Sequence, residues 1–205
     1  MVRAQLEAVF AETPPAAAKT GMLYSEAIIS EIAAFLQRRP RLLLVVDPVM
    51  ISTSGRRLLQ AGAIETLRRT LLPLATLITP NRAEAEVLTG QKINAPEDLR
   101  AAARFIQGAF GCAALVKGGH LPGTGQAVDI LFDGQSEWMF VAPRAHNLRL
   151  HGTGCVYSAA ITAGLAKGKS LAAAVRWGKQ FVTEAIYKEL ISTKSSPEFS
   201  RGRDS

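Results

Sequence analysis

The sequence predicts an α/β fold with a central, mostly parallel sheet, helices on both faces and a small antiparallel hairpin at one edge. Short Leu/Val-rich or Ala/Val-rich runs, such as 42–46 and 113–117, alternate with longer segments of helical periodicity. Continuous apolar runs are typical of strands buried on both faces, and strands that alternate with helices form parallel sheets. Later in the chain, two strand-like segments flank Asp133-Gly134, which is a hairpin turn signal.

Local patterns place the individual elements along the chain. Ser25 and Asn81 are residue types that cap helix N-termini, and Pro80 and Pro96 mark the end of a strand and the start of a helix. The predicted strands are residues 16–19, 42–46, 75–79, 113–117, 127–132 and 137–141. The predicted helices are residues 1–10, 25–38, 62–70, 82–89, 97–109, 154–167 and 170–190.

The composition indicates one globular domain. The chain has 205 residues, of which 48% are apolar and 20% are charged, as is ordinary for such a domain. We assign residues 1–191 to the domain and the polar residues 192–205 to a C-terminal tail. No apolar run approaches the roughly 18 residues that a membrane span requires, and the N-terminus lacks the apolar segment of a signal peptide. We therefore expect a cytoplasmic location and no membrane partner.

The formal net charge of +7 has two interpretations, a solvated basic surface or attraction for a polyanionic small ligand such as ATP. A nucleic-acid partner is not expected, because there is no zinc finger, no aromatic RNA-binding signature and no dense Lys/Arg stripe. The two cysteines, Cys112 and Cys155, are too few for a disulfide scaffold and lack zinc-site spacing. Cys112 lies in an apolar strand and fills the core, whereas Cys155 stands between glycines and a helix.

The segment His151-Gly152-Thr153-Gly154-Cys155 runs directly into a predicted helix. A glycine-rich turn at a helix start leaves backbone N–H groups free at the positive end of the helix dipole, which suits an anion. A cysteine in that turn can act as a base or a nucleophile. The alternative is a glycine turn with an incidental cysteine.

Two further segments carry acidic side chains just after predicted strands. Asp47 follows the strand at 42–46, at the strand end where α/β sheets bind ligands. It can hold a cation or water near a phosphate, or it can serve a turn. Asn81 and Glu84 lie three residues apart in the first turn of the helix after 75–79. Glu84 can hold Mg²⁺, or the two residues can form a capping box.

A lysine and two glycines, Lys117-Gly118-Gly119, follow the fourth buried strand. Lys117 can reach a phosphate, and the glycines permit close approach of the backbone. Since strand ends gather on one edge of an α/β sheet, glycines, carboxylates, a lysine and a thiol would meet there, as phosphoryl transfer requires. The sequence has neither GxxxxGK[ST] nor GxGxxG after a first strand, so neither a P-loop nor a dinucleotide-binding fold is supported.

Five segments together resemble the hydroxymethylpyrimidine/phosphomethylpyrimidine kinases of thiamine biosynthesis. They are KTGML (19–23), DPVM (47–50), LLPLATLITPNRAEAEVLTG (71–90), LVKGGH (115–120) and HGTGC with SAAI after it (151–161). The similarity runs in order from about Val2 to Ile186. It implies a ribokinase-like α/β fold and the phosphorylation of 4-amino-5-hydroxymethyl-2-methylpyrimidine, and then of its monophosphate, with Mg²⁺ and ATP. It also implies that the chain can form a homodimer.

The resemblance assigns catalytic roles to the residues that match the HGTGC motif. Cys155 corresponds to the catalytic base, which also touches the pyrimidine substrate. The backbone of Gly152, Thr153 and Gly154 corresponds to the anion hole that stabilises the transferring phosphoryl group. One position departs from the family pattern, because Leu150 stands where family members usually have Thr.

The resemblance also assigns the cofactor and substrate regions. Asp47 and Glu84 correspond to acidic residues on the magnesium side, and Met22 and Val49 correspond to residues that line the pyrimidine pocket. The predicted ATP-side residues are Lys117, Gly118, Gly119, Asn81 and Glu84.

Two alternatives stay open at this point. Sugar kinases of the same fold usually have Asp at the position of Cys155, so the thiol favours the pyrimidine branch, but a pyridoxal-type vitamin kinase shares the pattern. Compared with the usual family sequence, this one lacks roughly the N-terminal quarter, so we also consider a non-catalytic remnant that binds nucleotide. Cys155, Glu84 and Asp47 argue against such a remnant.

Overall fold

The computed structural model describes residues 1–51, 57–60, 62–119, 121, 125–144 and 152–195, with side chains through Lys188. The helices are α1 Val2–Glu12, α2 Glu26–Gln37, α3 Ala63–Thr66, α4 Arg82–Thr89, α5 Pro96–Phe110, α6 Thr153–Ala166 and α7 Leu171–Ser195. The strands are β1 Ala17–Thr20, β2 Leu43–Val46, β3 Leu77–Ile78, β4 Ala113–Gly118, β5 Gln126–Phe132 and β6 Glu137–Pro143.

The six strands form one sheet in the order β1-β2-β3-β4-β5-β6. Strands β1 to β4 are parallel, whereas β4, β5 and β6 pair antiparallel. The hairpin between β5 and β6 turns at Asp133 and Gly134: Gly134 has φ 102°, and the Asp133 carboxylate accepts hydrogen bonds from the backbone of Gln135 and Ser136. The predicted parallel sheet with an antiparallel hairpin at its edge is therefore confirmed.

Alternate residues of the buried strands face two separate apolar layers. Val46, Ile78 and Val116 pack with helices α2 to α5 on one face, and residues such as Val45 and Leu115 pack with α6 and α7 on the other. All five side chains are fully buried. Helices therefore cover both faces, which explains why β2 and most of β4 are apolar at successive positions rather than at every second one.

Helix N-termini follow the predicted caps. The Ser25 hydroxyl accepts a hydrogen bond from Ile28 N at the start of α2. Asn81 caps α4 in the same way through Glu84 N, and Pro96 is the first residue of α5. No described helix is both long enough and apolar enough to cross a membrane.

Most elements differ from the prediction by one or two residues at an end, and three differ more clearly. The strand predicted at 75–79 forms a ladder only over Leu77–Ile78. The helix predicted at 62–70 is α-helical only over α3 and continues as a π-helical turn, Leu67–Leu71, and a 3₁₀ turn, Leu72–Leu74, in which Pro73 cannot donate the next helical hydrogen bond. Helix α7 extends to Ser195, four residues into the predicted tail. Residues 196–205 lie outside the described residues.

Candidate active site

The carboxyl ends of the four parallel strands meet at one edge of the sheet, and the N-terminal part of α6 reaches that edge. Asp47 directly follows β2, and its N–H donates to the carbonyl oxygen of Thr20, the last residue of β1 (3.2 Å). At β4 the Lys117 N–H donates to Pro80 O (2.9 Å), which lies just after β3. These backbone bonds hold four chain segments side by side at the place where α/β sheets bind ligands.

Asp47 is the centre of a buried hydrogen-bond network. Its side chain is 2% exposed. One carboxylate oxygen, Oδ1, accepts from Thr79 Oγ1 (3.1 Å) and Lys117 Nζ (3.0 Å), and Oδ2 accepts from Ser158 Oγ (3.1 Å). The three donors come from the residue after β3, from β4 and from α6. Asp47 therefore ties the N-terminal part of α6 to the strand ends, and Asp47 and Lys117 lie together beside the start of that helix.

Helix α6 begins at this network without a side-chain cap. Its N-cap, Gly152, has φ 88°, a left-handed conformation that glycine adopts without the steric penalty of a side chain. No side chain of the described residues accepts a hydrogen bond from its first N–H groups. Gly152 and Cys155 are exposed, and Thr153 and Gly154 are partly so. The first turn can therefore present N–H groups and the Cys155 thiol to a ligand. His151 lies outside the described residues.

Lys117 brings a positive charge to the same turn. Its Nζ lies 3.3 Å from the position that a Cβ on Gly154 would occupy, and its side chain is 11% exposed. Burial disfavours the charged amine, but the carboxylates of Asp47, Glu84 and Asp129 outweigh burial and raise the pKa of Lys117. A protonated lysine therefore lies beside the uncapped helix N-terminus.

Asn81 and Glu84 form the capping box that one of the two sequence interpretations predicted. Asn81 Oδ1 accepts from Glu84 N (3.0 Å), and Glu84 Oε2 accepts from Asn81 N (2.8 Å). Glu84 is 2% exposed. Burial raises its pKa to about 7; Lys117 and hydrogen bonds from Asn81 and Met50 oppose the shift, and the charge of Asp47 adds to it. Glu84 is thus both a cap and a carboxylate within electrostatic reach of Lys117 and Asp47.

The described carboxylates at this edge do not make up a complete metal site by themselves. Among the described residues, no three or more His, Cys, Asp or Glu side chains converge in a way that could hold a metal ion. Mg²⁺ does not require such a cluster, because it usually binds one or two carboxylates together with phosphate oxygens and water. Glu84 and Asp47 are carboxylates close enough for the charge of one to shift the pKa of the other. The residues therefore fit a metal that arrives with a nucleotide.

The remaining predicted residues also lie at this edge. A Cβ on Gly118 would collide with the Val128 carbonyl oxygen, so only glycine fits at the end of β4, and Gly119 is partly exposed beside it. Met22 follows β1 and is 55% exposed. Val49 follows β2, is partly buried and donates its N–H to Asp47 O (2.8 Å). His120 lies outside the described residues.

Sequence reasoning missed two side chains of the network, Thr79 and Ser158. Thr79 is fully buried and Ser158 is 1% exposed, and both donate to Asp47. A signal for Ser158 existed, because it lies three residues after Cys155 on the same helix and so points to a neighbouring face. Thr79 precedes Pro80 at a strand end, a position at which a threonine carries no specific signal.

The sequence of this chain is similar to those of known kinases and of a thiamine biosynthesis protein. The family model described as "Phosphomethylpyrimidine kinase" matches residues 1–197. A Streptomyces coelicolor hydroxymethylpyrimidine/phosphomethylpyrimidine kinase is 46% identical over 186 residues, which cover 90% of this chain and 68% of that protein. A bifunctional thiamine biosynthesis protein of Geobacter sulfurreducens is 46% identical over 182 residues, or 89% of this chain. The chain spans only 37% of that longer protein.

Two solved structures are similar in both sequence and shape. A phosphomethylpyrimidine kinase from Clostridium difficile superposes with a TM-score of 0.78 at 42% identity, over 90% of this chain and 74% of that one. A pyridoxal kinase from Staphylococcus aureus, solved in complex with AMP-PCP and pyridoxal, superposes with a TM-score of 0.80 at 37% identity, over 89% of this chain and 65% of that one.

Proposed function

This chain belongs to the phosphomethylpyrimidine kinase family, and we propose that it transfers the γ-phosphate of ATP to the hydroxymethyl group of 4-amino-5-hydroxymethyl-2-methylpyrimidine and then phosphorylates the monophosphate. One observation carries the proposal. The first turn of α6 contains Cys155 and has no side-chain cap among the described residues, and it lies against the Lys117–Asp47 ion pair at the carboxyl edge of the sheet. That arrangement puts anion donors, a cation and a base in one place.

The fold agrees with the family. The ribokinase-like α/β architecture is confirmed by the mixed, mostly parallel sheet and by the similar solved structures. ATP as the phosphate donor is supported by the AMP-PCP bound in the Staphylococcus aureus structure. A homodimer and a cytoplasmic location stay predictions.

We assign the phosphate side to backbone and lysine. Phosphoryl transfer depends mainly on positioning and on stabilising the charge of the transferring group. The N–H groups of Gly152, Thr153 and Gly154 donate to the phosphoryl oxygens at the positive end of α6. The Lys117 ammonium, held by Asp47, adds a second stabilising charge from the strand side. Gly119, which is partly exposed after β4, lets the phosphates approach the backbone, whereas the buried Gly118 is required by its close contact with Val128 O.

We assign the proton transfer to Cys155. The acceptor is a primary alcohol that gives up its proton as its oxygen bonds to phosphorus, and a base at that oxygen assists the step. Cys155 is exposed in the first turn of α6, so its thiolate can receive the proton while the neighbouring N–H groups hold the phosphoryl oxygens. The base and the anion donors thus belong to one turn of chain.

The acidic residues Glu84 and Asp47 are the proposed metal side of the site. These two carboxylates would hold a magnesium ion that arrives with the nucleotide, and the ion would supply positive charge to neutralise the phosphates. Glu84 would hold it directly or through water, and Asp47, whose oxygens already accept three hydrogen bonds, would act mainly by its charge. Asn81 keeps the Glu84 backbone in place through the capping box.

Pyridoxal is a second candidate acceptor, because a pyridoxal kinase superposes with a TM-score of 0.80 at 37% identity. Both acceptors are flat heteroaromatic rings with a hydroxymethyl group, so the same phosphoryl turn can serve either. Met22 and Val49, placed after β1 and β2 on the acceptor side, are the proposed ring contacts.

The test measures phosphorylated products directly. The purified chain is incubated with Mg-ATP and either the pyrimidine alcohol, its monophosphate or pyridoxal, and products are identified by mass spectrometry. We expect the pyrimidine mono- and diphosphates, and none without Mg²⁺. Faster turnover of pyridoxal would replace the pyrimidine with the second candidate. Tight ADP binding without any phosphorylated product would instead support a nucleotide-binding remnant.

A further inference from the structure

A second buried ion pair lies next to the site but takes no part in the proposed chemistry. Lys179 Nζ on α7 donates to Asp129 Oδ2 on β5 (2.7 Å) and to Ala127 O (3.0 Å). The side chains are 11% and 3% exposed. Asp129 also accepts from Gly118 N (3.1 Å). Burial, and after it the charge of Asp129, raises the pKa of Tyr157 on α6.

Asp129 lies directly opposite Lys117. The antiparallel register of β4 and β5 pairs Lys117 with Asp129, so the two side chains leave the sheet on the same face with Cβ atoms about 5 Å apart. An acid and a base in that relation normally attract each other. Here, however, Lys117 pairs with Asp47 at 3.0 Å, and Asp129 pairs with Lys179 at 2.7 Å. The charges alternate along the row Asp47, Lys117, Asp129, Lys179.

The row explains why Lys117 keeps its orientation. A buried carboxylate without a partner strongly attracts the nearest cation, because the surroundings screen little. If Lys179 were neutral, the cation directly across the strands from Asp129 would be Lys117. A shift of the Lys117 amine toward Asp129 would remove it from Asp47 and from Gly154, where it lies 3.3 Å from the Cβ position.

We propose that Lys179 is a positioning residue for phosphate binding: by neutralising Asp129 it leaves Lys117 paired with Asp47 and directed at the N-terminus of α6. The inference rests on the proposed function, which places the ATP phosphates at that turn. Lys179 acts through Asp129 and Lys117 and does not itself touch the phosphates.

The experiment compares single substitutions of Lys179 and of Asp129 with a double variant in which both residues are changed. The variants are Lys179→Met, Asp129→Asn, the double variant Asp129→Asn/Lys179→Met, and Lys179→Arg. The matched control is Arg176→Met, which removes a cation one turn earlier on α7 at an exposed position. For each protein we measure KM for ATP, KM for the pyrimidine, kcat, the Kd for ADP by calorimetry and the thermal midpoint.

We expect an asymmetry that loss of stability alone does not produce. Lys179→Met should raise KM for ATP and Kd for ADP by at least about tenfold, since displacement of a positioned group by 1 Å has large effects, with KM for the pyrimidine unchanged. Asp129→Asn should change KM for ATP and Kd for ADP by less than about threefold, because Lys117 stays paired with Asp47 and Lys179 can extend toward water. The double variant and Lys179→Arg should return toward wild type, and Arg176→Met should equal it.

Several results would overturn the proposal. One is that Lys179→Met has the wild-type KM for ATP and Kd for ADP. Another is that Lys179→Met and Asp129→Asn change these values equally. A third is that the double variant does not return toward the wild-type values. Should Lys179→Met fail to fold, Lys179→Gln repeats the test, because its amide can still donate to Ala127 O. A wild-type chain that neither binds ADP nor turns over would reject the proposed function and this inference together. A working wild type without the asymmetry rejects the inference alone.

Discussion

Helices α4 and α6 both begin at the carboxyl edge of the sheet, but the backbone N–H groups of their first turns differ in their hydrogen-bond partners. At α4, Asn81 and Glu84 satisfy each other's backbone N–H groups in a capping box. At α6, Gly152 stands at the N-cap, and no described side chain accepts from the first turn. A side-chain cap stabilises a helix by about 1 kcal/mol, and α6 does not gain it from any described side chain.

Helix α6 packs closely against α7, although no described side chain caps its first turn. The helix crosses α7 at two glycines: a Cβ on Gly164 would lie 3.1 Å from Ala174 Cβ, and a Cβ on Gly178 would lie 2.7 Å from Ile161 Cγ1. Such close approach buries the middle of α6, including Tyr157 and Ile161, while its first turn stays exposed. A helix whose middle is fixed by packing can thus leave its first-turn N–H groups available to a ligand. The first-turn N–H groups of α4, in contrast, are used in a capping box that stabilises the helix.

The largest expected effect comes from removing the thiol in the free turn. Cys155→Ala should lower kcat by about 10² to 10⁴, the usual contribution of a positioned base, while the Kd for ADP changes little, because the backbone donors remain. Cys155→Ser should be nearly as slow, and Cys155→Asp should retain part of the activity. The measurement is turnover of the pyrimidine at saturating Mg-ATP.

Cys112→Ala provides the matched control, because Cys112 is buried away from the site and its thiol donates a hydrogen bond to Leu72 O. Its turnover should equal wild type at a temperature where the variant is folded. Normal turnover in Cys155→Ala would mean that another group accepts the proton and that α6 offers only an anion site.

The features that depend on local sequence were predictable. The Asn81-x-x-Glu84 spacing indicated the capping box, and the glycines at 152 and 154 indicated an open turn before a helix. The Asp133-Gly134 signal located the hairpin. Each of these features depends on backbone geometry over a few residues, so the sequence of a single segment is enough to predict it.

The features that depend on pairing between distant segments were not predictable. Asp129 opposes Lys117 only because β4 and β5 pair in one register, and a shift by one residue would turn Asp129 to the other face. Ser158 reaches Asp47 only because α6 packs across β1 and β2. A lone Asp in the apolar segment AVDILF does signal a buried partner, but it does not identify Lys179, 50 residues later.

The capped helix makes a prediction about pH. The folded protein holds the Glu84 proton up to about pH 7, whereas the unfolded chain releases it near the ordinary value of 4.5. The folded state therefore binds more protons between these values, and the free energy of unfolding falls as the pH rises through them, by roughly 3 kcal/mol in total. Glu84→Gln should remove this loss, as measured by urea unfolding of both proteins at pH 5 and pH 8.

Asn81→Ala separates the cap from the charge. It removes one half of the capping box and should cost about 1 kcal/mol at both pH values, with the pH-dependent loss kept. An unchanged pH dependence in Glu84→Gln would show that Glu84 is ionised throughout this range. If Glu84→Gln also left Mg²⁺ dependence and turnover unchanged, the role of Glu84 would be that of a cap only.

Gly154→Ala should perturb the protein least, and it separates stability from ligand binding in the first turn of α6. Gly154→Ala places a Cβ 3.3 Å from Lys117 Nζ, so the amine must move by a few tenths of an ångström. Since Gly154 lies within the helix, alanine should be neutral or add about 0.4–1 kcal/mol of stability, yet KM for ATP should rise by about tenfold. Gly108→Ala, in α5 with no atom within 4 Å of the new Cβ, should give the same stability change with wild-type kinetics. Equal kinetics in both variants would show that Lys117 and the first turn of α6 do not share a ligand.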